Sequence, residues 1–255
     1  MQEEKYEFPS EEVTLPSQGI LYPEESGLKS GLIQMKYMTA KEEDILTNVN
    51  FIKNGTVIDK LLQAMIKSPI NYNDILVGDK NAILVAARIL GYGSEYTFKK
   101  AHPDTGVEEE ISVDLTNLKD KTLNTNLVKD GKNEFEFVLP ISKTKVTFKL
   151  LTHGDENKIE QELKGLKKIN ANASPELTTR LKHTILSING DYEQQTIRQF
   201  IDQRLLARDS RALRNYIKSI MPDVDFKISY TFKDGYGDED VLPFGLDFFW
   251  PDTEI

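Results

Sequence analysis

Behind Gly55 the apolar residues Val57, Leu61, Leu62, Met65 and Ile66 fall at i, i+4, i+5, i+8 and i+9, the spacing of one helical face. Two neighbouring segments share that period. Thr39 reads as a helix N-cap, with Glu42 at the capping-box position and acidic residues in the first turn, and predicts a short helix ending near Asn48-Val49-Asn50. A further helix is expected from about Asp79 through Ile83, Val85, Ala86, Ile89 and Leu90, stopped by Gly91-Tyr92-Gly93. The pattern then switches to alternation. Tyr96-Thr97-Phe98-Lys99, a turn at His102-Pro103-Asp104-Thr105-Gly106, and Glu110-Ile111-Ser112-Val113-Asp114-Leu115 predict a β-hairpin.

Residues 135–139 and 145–150 suggest a second hairpin. Helical spacing returns over 155–169 and 175–188, the latter capped by Ser174 with Pro175 at its first position. It continues through Ile197, Ile201, Leu205, Leu213, Tyr216, Ile217 and Ile220, with a break near Ala207-Arg208-Asp209-Ser210 where Asp209 is placed to cap the second piece. Pro222 stops it. Residues 226–232, the turn Asp234-Gly235-Tyr236-Gly237, and the strand-like stretch 242–250 close the chain. The first 35 residues keep neither period, since Pro9, Pro16, Pro23, Gly19, Gly27 and Gly31 interrupt them, and only 32–37 reads as a short strand. The expected fold is therefore α+β. An extended N-terminal arm (1–35) precedes two helical units each followed by a β-hairpin, at 36–150 and 151–255. The arm is expected to lie on its own domain or on a partner.

Two stretches resemble one another. Tyr96-Thr97-Phe98-Lys99 recurs as Tyr230-Thr231-Phe232-Lys233, each followed by a turn and acidic residues, then by Val113-Asp114-Leu115 or Leu246-Asp247-Phe248. Either a helix-plus-hairpin unit has been duplicated, or two short hairpins share common strand residues. Different strand order in the two would count against duplication.

Composition narrows the chemistry. Without cysteine there is no disulfide, thiolate metal site or cysteine nucleophile. A formal charge of −9 disfavours general nucleic-acid binding, which neutralises phosphates with Lys and Arg. No apolar run approaches a membrane span and the N-terminus lacks a secretory signal. His102, His153 and His183 lie in separate predicted elements, with no HExxH, GxSxG or phosphate-loop pattern, so no catalytic residue, metal ligand or cofactor is assigned. His102 is expected to be solvated in its turn. The acidic turn after Asp234 misses the spacing of a calcium loop. Arg204, Arg208, Arg211 and Arg214 place positive charge on a helix, suited to nucleic acid or an acidic partner, with Asp202, Asp209 and nearby glutamates as the expected internal partners.

A family resemblance emerges from three features in order. They are Leu15-Pro16-Ser17-Gln18-Gly19-Ile20-Leu21-Tyr22-Pro23 followed by Met38-Thr39-Ala40-Lys41-Glu42-Glu43; Arg88-Ile89-Leu90-Gly91-Tyr92-Gly93-Ser94-Glu95-Tyr96 with Val113-Asp114-Leu115; and Asp209-Ser210-Arg211-Ala212-Leu213-Arg214, Pro222-Asp223-Val224-Asp225 and Phe248-Phe249-Trp250-Pro251. In this order the chain resembles the baseplate hub assembly proteins of T-even-type contractile-tailed bacteriophages. Members of that family often carry Cys-Pro-x-Cys pairs in both hairpins, like small zinc ribbons. Here the cysteines are gone, so the hairpins would be degenerate ribbons held by aromatics such as Phe98, Phe232, Phe248 and Phe249.

The resemblance implies a non-catalytic hub component or assembly factor that binds other phage tail or baseplate proteins, in the virion baseplate or in the host cytoplasm during assembly. A tail assembly chaperone absent from the mature virion is one alternative, and a baseplate cell-wall-degrading enzyme is another. Partner contact is expected at Leu15, Pro16 and Tyr22 of the arm and at Phe248, Phe249, Trp250 and Pro251. The same aromatics would otherwise close their own hairpin core, and the arm would otherwise cross its own helices. The sequence leaves the oligomeric state open.

Overall fold

The computed structural model describes residues 9–128, 132–169, 175–243 and 246–249. The proposed Ser174 cap, Trp250 and Pro251 lie outside the described residues.

The arm is not a free extension. Strand β1 (Ser10–Thr14) pairs antiparallel with β2 (Leu32–Lys36), Glu12 opposite Gln34. The loop between them folds inward, burying Leu15, Leu21, Tyr22 and Leu28. Helix α1 (Ala40–Leu46) starts at Thr39 as expected: the Glu42 carboxylate accepts from both the N–H and the hydroxyl of Thr39. Short α2 (Val49–Lys53) leads to α3 (Val57–Met65), whose Val57, Leu61, Leu62 and Met65 are all buried. The chain leaves α3 extended, and Ile66 forms an antiparallel bridge with Met35 of β2.

Helix α4 (Val77–Tyr92) begins two residues before Asp79 and ends at Gly93, whose φ of 86° carries the chain out of the helix. It delivers the chain into the hairpin of β3 (Glu95–Ala101) and β4 (Glu108–Asp114), followed by β5 (Lys119–Lys121).

The second half repeats this order. Strand β6 (Phe135–Val138) pairs with β7 (Lys145–Phe148), and α5 (His153–Ile169) and α6 (Glu176–Thr184) follow. Residues 185–188, expected to be helix, form strand β8 (Ile185–Ile188) against β7. Two β-branched isoleucines, both buried, suit a strand packed against β7. Helices α7 (Gln194–Gln203) and α8 (Ala207–Ile220) come next, then β9 (Asp223–Asp225) and the hairpin of β10 (Lys227–Thr231) and β11 (Gly237–Val241). The last strand is thus the acidic stretch expected as turn. In 242–250, where a strand was expected, a 3-10 turn spans Leu246–Phe249.

The correspondence reaches single side chains. Lys36, Thr39 and Glu42 recur with the same spacing as Lys149, Thr152 and Asp155. In each set the lysine bonds the carboxylate, at 2.8 Å from Lys36 and 2.7 Å from Lys149. In each set the carboxylate also accepts the threonine N–H. Both hairpins are antiparallel and follow the last long helix of their half. The correspondence thus extends to β1 and β2; the expected division at residue 35 falls inside β2, while that at 150 falls just behind β7.

Several contacts join the halves. The short ladder β5–β9 crosses between them, with Asp120 opposite Val224. Leu76 bridges Thr152. The two hairpins also meet through Phe98 on Tyr230 (6.1 Å), and Tyr96 of the first packs on Phe248 of the 3-10 turn that follows the second (5.1 Å). These aromatics hold the hairpins by packing.

Candidate functional site at two helix corners

Each half places a buried aspartate in the first turn of its last long helix, three residues after a leucine that caps it. Leu76 and Asp79 do so on α4, Leu206 and Asp209 on α8. Both carboxylates receive the loop that follows a Leu-Pro pair after the half's first strand. The N–H of Ser17, after Leu15-Pro16, donates to Asp79 Oδ1 at 2.9 Å. The N–H of Ile141, after Leu139-Pro140, donates to Asp209 Oδ1 at 2.8 Å. Anions are favoured at a helix N-terminus, where the first-turn N–H groups and the helix dipole meet them.

From that shared contact the corners diverge. At α4 the loop runs on for many residues and returns Tyr22, whose hydroxyl donates to Asp79 Oδ2 at 2.6 Å and accepts the Leu76 N–H at 2.9 Å. The Ser17 hydroxyl makes a third bond to Asp79, at 2.6 Å. Pro222 closes the other side. Its carbonyl oxygen would stand 1.8 Å from a Cβ on Gly78, so only glycine fits beneath it. At α8 the loop turns back at once through Lys143, at φ 56°, and gives Asp209 a second backbone donor, the Ser142 N–H at 3.0 Å. Nothing corresponds to Tyr22. Leu206 remains 47% exposed, Ile141 43%, and among the described residues the Leu206 N–H meets no acceptor. Where Gly78 sits buried, the second half has an exposed Arg208.

The two carboxyls titrate in opposite directions. Burial pushes Asp79 above the usual carboxylate range, with the nearby Asp120 charge adding to it and its three donors opposing. Burial acts on Asp209 too, but the N–H groups of Ile141 and Ser142 outweigh it and hold that carboxyl below the usual range. Asp209 was expected to cap α8; it sits inside the first turn and holds the 139–143 loop instead.

The arginines expected to pair with Asp202 and Asp209 do not. Lys182 takes Asp202 at 2.7 Å, and Asp209 is occupied by backbone donors. Arg204, Arg208, Arg211 and Arg214 are exposed and form no ion pair among the described residues.

Leu15, Pro16 and Tyr22 of the expected partner contacts lie inside the protein's own core, under α4, and Phe248 and Phe249 are buried beside Tyr96. These five side chains offer no free surface. His102 is buried as well, not solvated. Its Nδ1 accepts the N–H groups of Asp104 and Thr105 within its own turn, and its ring packs on Phe232 at 4.6 Å. Among the described residues no group of three His, Asp or Glu side chains is disposed to hold a metal ion.

One cluster has the residue types of proton chemistry. Asp59 accepts from Tyr72 (2.9 Å) and Lys80 (2.5 Å), and Lys80 also donates to His153 Nδ1 at 3.1 Å. Burial and the Lys80 charge push the His153 pKa down, so its imidazole is neutral near pH 7. These groups are committed to each other, and they tie α3 and α4 to the start of α5. Sequence reading missed both aspartate corners. The repeated signal was present, in Leu15-Pro16 with Leu76-x-x-Asp79 and Leu139-Pro140 with Leu206-x-x-Asp209.

The chain is mixed α+β, and among the described residues no helix is long and apolar enough to cross a membrane. A family model described as T4 bacteriophage base plate protein matches residues 20–250, and the chain belongs to that family. No curated protein and no solved structure matches it.

Proposed function

We propose that this protein is a non-catalytic component or assembly factor of the baseplate hub, acting by contact with other tail or baseplate proteins. The observation that carries this reading is the family match over residues 20–250. The structure adds to it: Asp79, Asp209, Asp155, Glu42 and the Asp59 cluster all spend their polar atoms on holding loops and helices in place. On this reading Leu15, Pro16, Tyr22, Phe248 and Phe249 shape the surface that partners meet and do not touch them. The protein resides in the virion baseplate.

Deletion of the gene tests this, with purified particles from the complemented phage analysed by mass spectrometry. The expected result is a failure of baseplate assembly without the protein and its recovery from mature particles with it. Recovery of assembly but not of the protein in particles would assign it instead to the tail assembly chaperones. A cell-wall-degrading activity is tested by zymogram. Clearing by the purified protein, lost in Asp59→Asn, would overturn the non-catalytic reading.

A further inference from the structure

We infer that the N-terminal corner of α8 is a docking site for an acidic segment of a neighbouring baseplate protein that carries an apolar or aromatic residue. The inference rests on the reading of this chain as a subunit-binding protein and adds the surface and the chemistry of its partner.

The repeat supplies the first argument. At α4 the corner is filled by a turn of this chain's own, at Leu21-Tyr22-Pro23, where the Tyr22 hydroxyl accepts the Leu76 N–H. At α8 the same frame is present, with the same Leu-x-x-Asp spacing and the same bond from the residue after Leu-Pro. The filling is not. Leu206 and Ile141 stay half-exposed, and the Leu206 N–H has no acceptor among the described residues. An exposed apolar pair beside a helix start with a spare donor suits a segment that lays down one apolar side chain and one acceptor.

Charge supplies the second argument. The chain carries a net charge of −9, yet Arg204, Arg208, Arg211 and Arg214 stand exposed around this corner and along α8 with no ion pair among the described residues. At the first corner the position of Arg208 is Gly78, sealed beneath Pro222. Exposed arginines just ahead of α8, in its first turn and further along it match an acidic partner, because complementary charge steers association and fixes its register. The negative balance of the rest of the surface disfavours a nucleic acid, which would be repelled everywhere outside this stripe.

The test is fluorescence anisotropy at low salt with a labelled peptide, LYPEEEED, which extends the Leu-Tyr-Pro-Glu-Glu of this chain's own loop with further acid, and with LYPQQQQN as control. The full-length protein is expected to bind the acidic peptide and to bind the neutral one about tenfold more weakly. Arg208→Glu combined with Arg211→Glu is expected to lower acidic-peptide binding by about tenfold or more, with an unchanged circular dichroism spectrum. Leu206→Ser is a second variant. It removes the apolar shelf while giving α8 a favoured N-cap residue, so weaker binding could not be ascribed to a lost fold.

No binding of the acidic peptide by the wild-type protein, or equal binding by the charge-reversed variant, would overturn the inference. So would tighter binding of a labelled DNA duplex than of the peptide. Self-association in sedimentation that disappears in the charge-reversed variant would give the corner to a second copy and overturn it likewise. Any of these outcomes leaves the hub reading standing, since that reading depends on presence in particles.

Discussion

The corners at Asp79 and Asp209 are built on one plan and finished in two ways. Each has a carboxylate in the third position of a helix, three residues past a leucine, holding the N–H that follows Leu-Pro. At Asp79 the chain then covers its own work, with Tyr22 above and Pro222 beside it. At Asp209 it leaves Leu206, Ile141 and the arginines at the surface. The difference teaches that a repeated frame fixes where a loop is anchored but not what is laid over the anchor. In the first half the overlying polypeptide is part of the stability of this chain. In the second half the same place is left to be filled, and stability does not depend on it.

The largest expected effect comes from the pair Gly78 and Arg208, which occupy the same step of their helices. In a helix interior, Gly→Ala ordinarily stabilises by about 1 kcal/mol. Here Gly78→Ala drives a methyl group to 1.8 Å from the Pro222 carbonyl oxygen, an atom fixed by the backbone ahead of β9. The substitution is expected to destabilise by about 3 kcal/mol, read as a lower midpoint in urea. Arg208→Ala is expected to change that midpoint by no more than about 0.5 kcal/mol, as for an exposed residue outside any hydrogen-bonded ion pair. Equal costs would show that the α8 corner is as tightly sealed as the other.

Tyr22→Phe gives the next effect. It keeps the ring but removes the oxygen that joins Leu76 N–H to Asp79, leaving a buried donor without an acceptor. The expected cost is about 2 kcal/mol, again read by urea denaturation. Because the Leu206 N–H already lacks such an acceptor, the second corner has no counterpart of this loss. A negligible cost for Tyr22→Phe would mean that water reaches the first corner, and the contrast between the halves would shrink to their charges.

How far the sequence foretold this depends on the range of the interactions. The capping box at Thr39, the run of α3 and the hairpin of β3 and β4 were legible because caps, helical faces and alternation are written within a few residues. The strand at 185–188 was not, because its identity is decided by β7, about forty residues earlier, and its Ile-Leu-Ser-Ile pattern suits either period. His102 was misjudged for a related reason. A turn histidine is solvated unless another part of the chain covers it, and Phe232 does so from the opposite hairpin. The hairpin similarity was visible in the sequence. The larger repeat rests on single residues, Lys36-Thr39-Glu42 against Lys149-Thr152-Asp155 and Asp79 against Asp209, separated by stretches of unequal length. Those residues stand out only once their hydrogen bonds are known.

The smallest expected effect is also the sharpest in sign. Asp79 has a folded-state pKa above its unfolded value of about 3.9, so its contribution to stability is complete below that pH and is lost as pH rises through the folded value. Two of its three donors are hydroxyls, from Ser17 and Tyr22, which can turn and accept a hydrogen bond from the neutral acid. Asp209 has a folded-state pKa below the unfolded one. Its contribution is present above about 3.9 and lost as pH falls through the folded value, because the N–H groups of Ile141 and Ser142, with the Ser142 hydroxyl and the Arg208 charge, favour the carboxylate over the neutral acid. Urea midpoints measured from pH 3 to 8 for Asp79→Asn and Asp209→Asn, each taken relative to the wild-type protein, are therefore expected to drift in opposite directions. As pH rises, Asp79→Asn gains on the wild type, while Asp209→Asn loses ground between about pH 3 and 5. Drift of both variants in one direction would mean that the covering loop at α4 does not change how its anchoring carboxylate is solvated. The two corners would then be electrostatically alike, whatever lies over them.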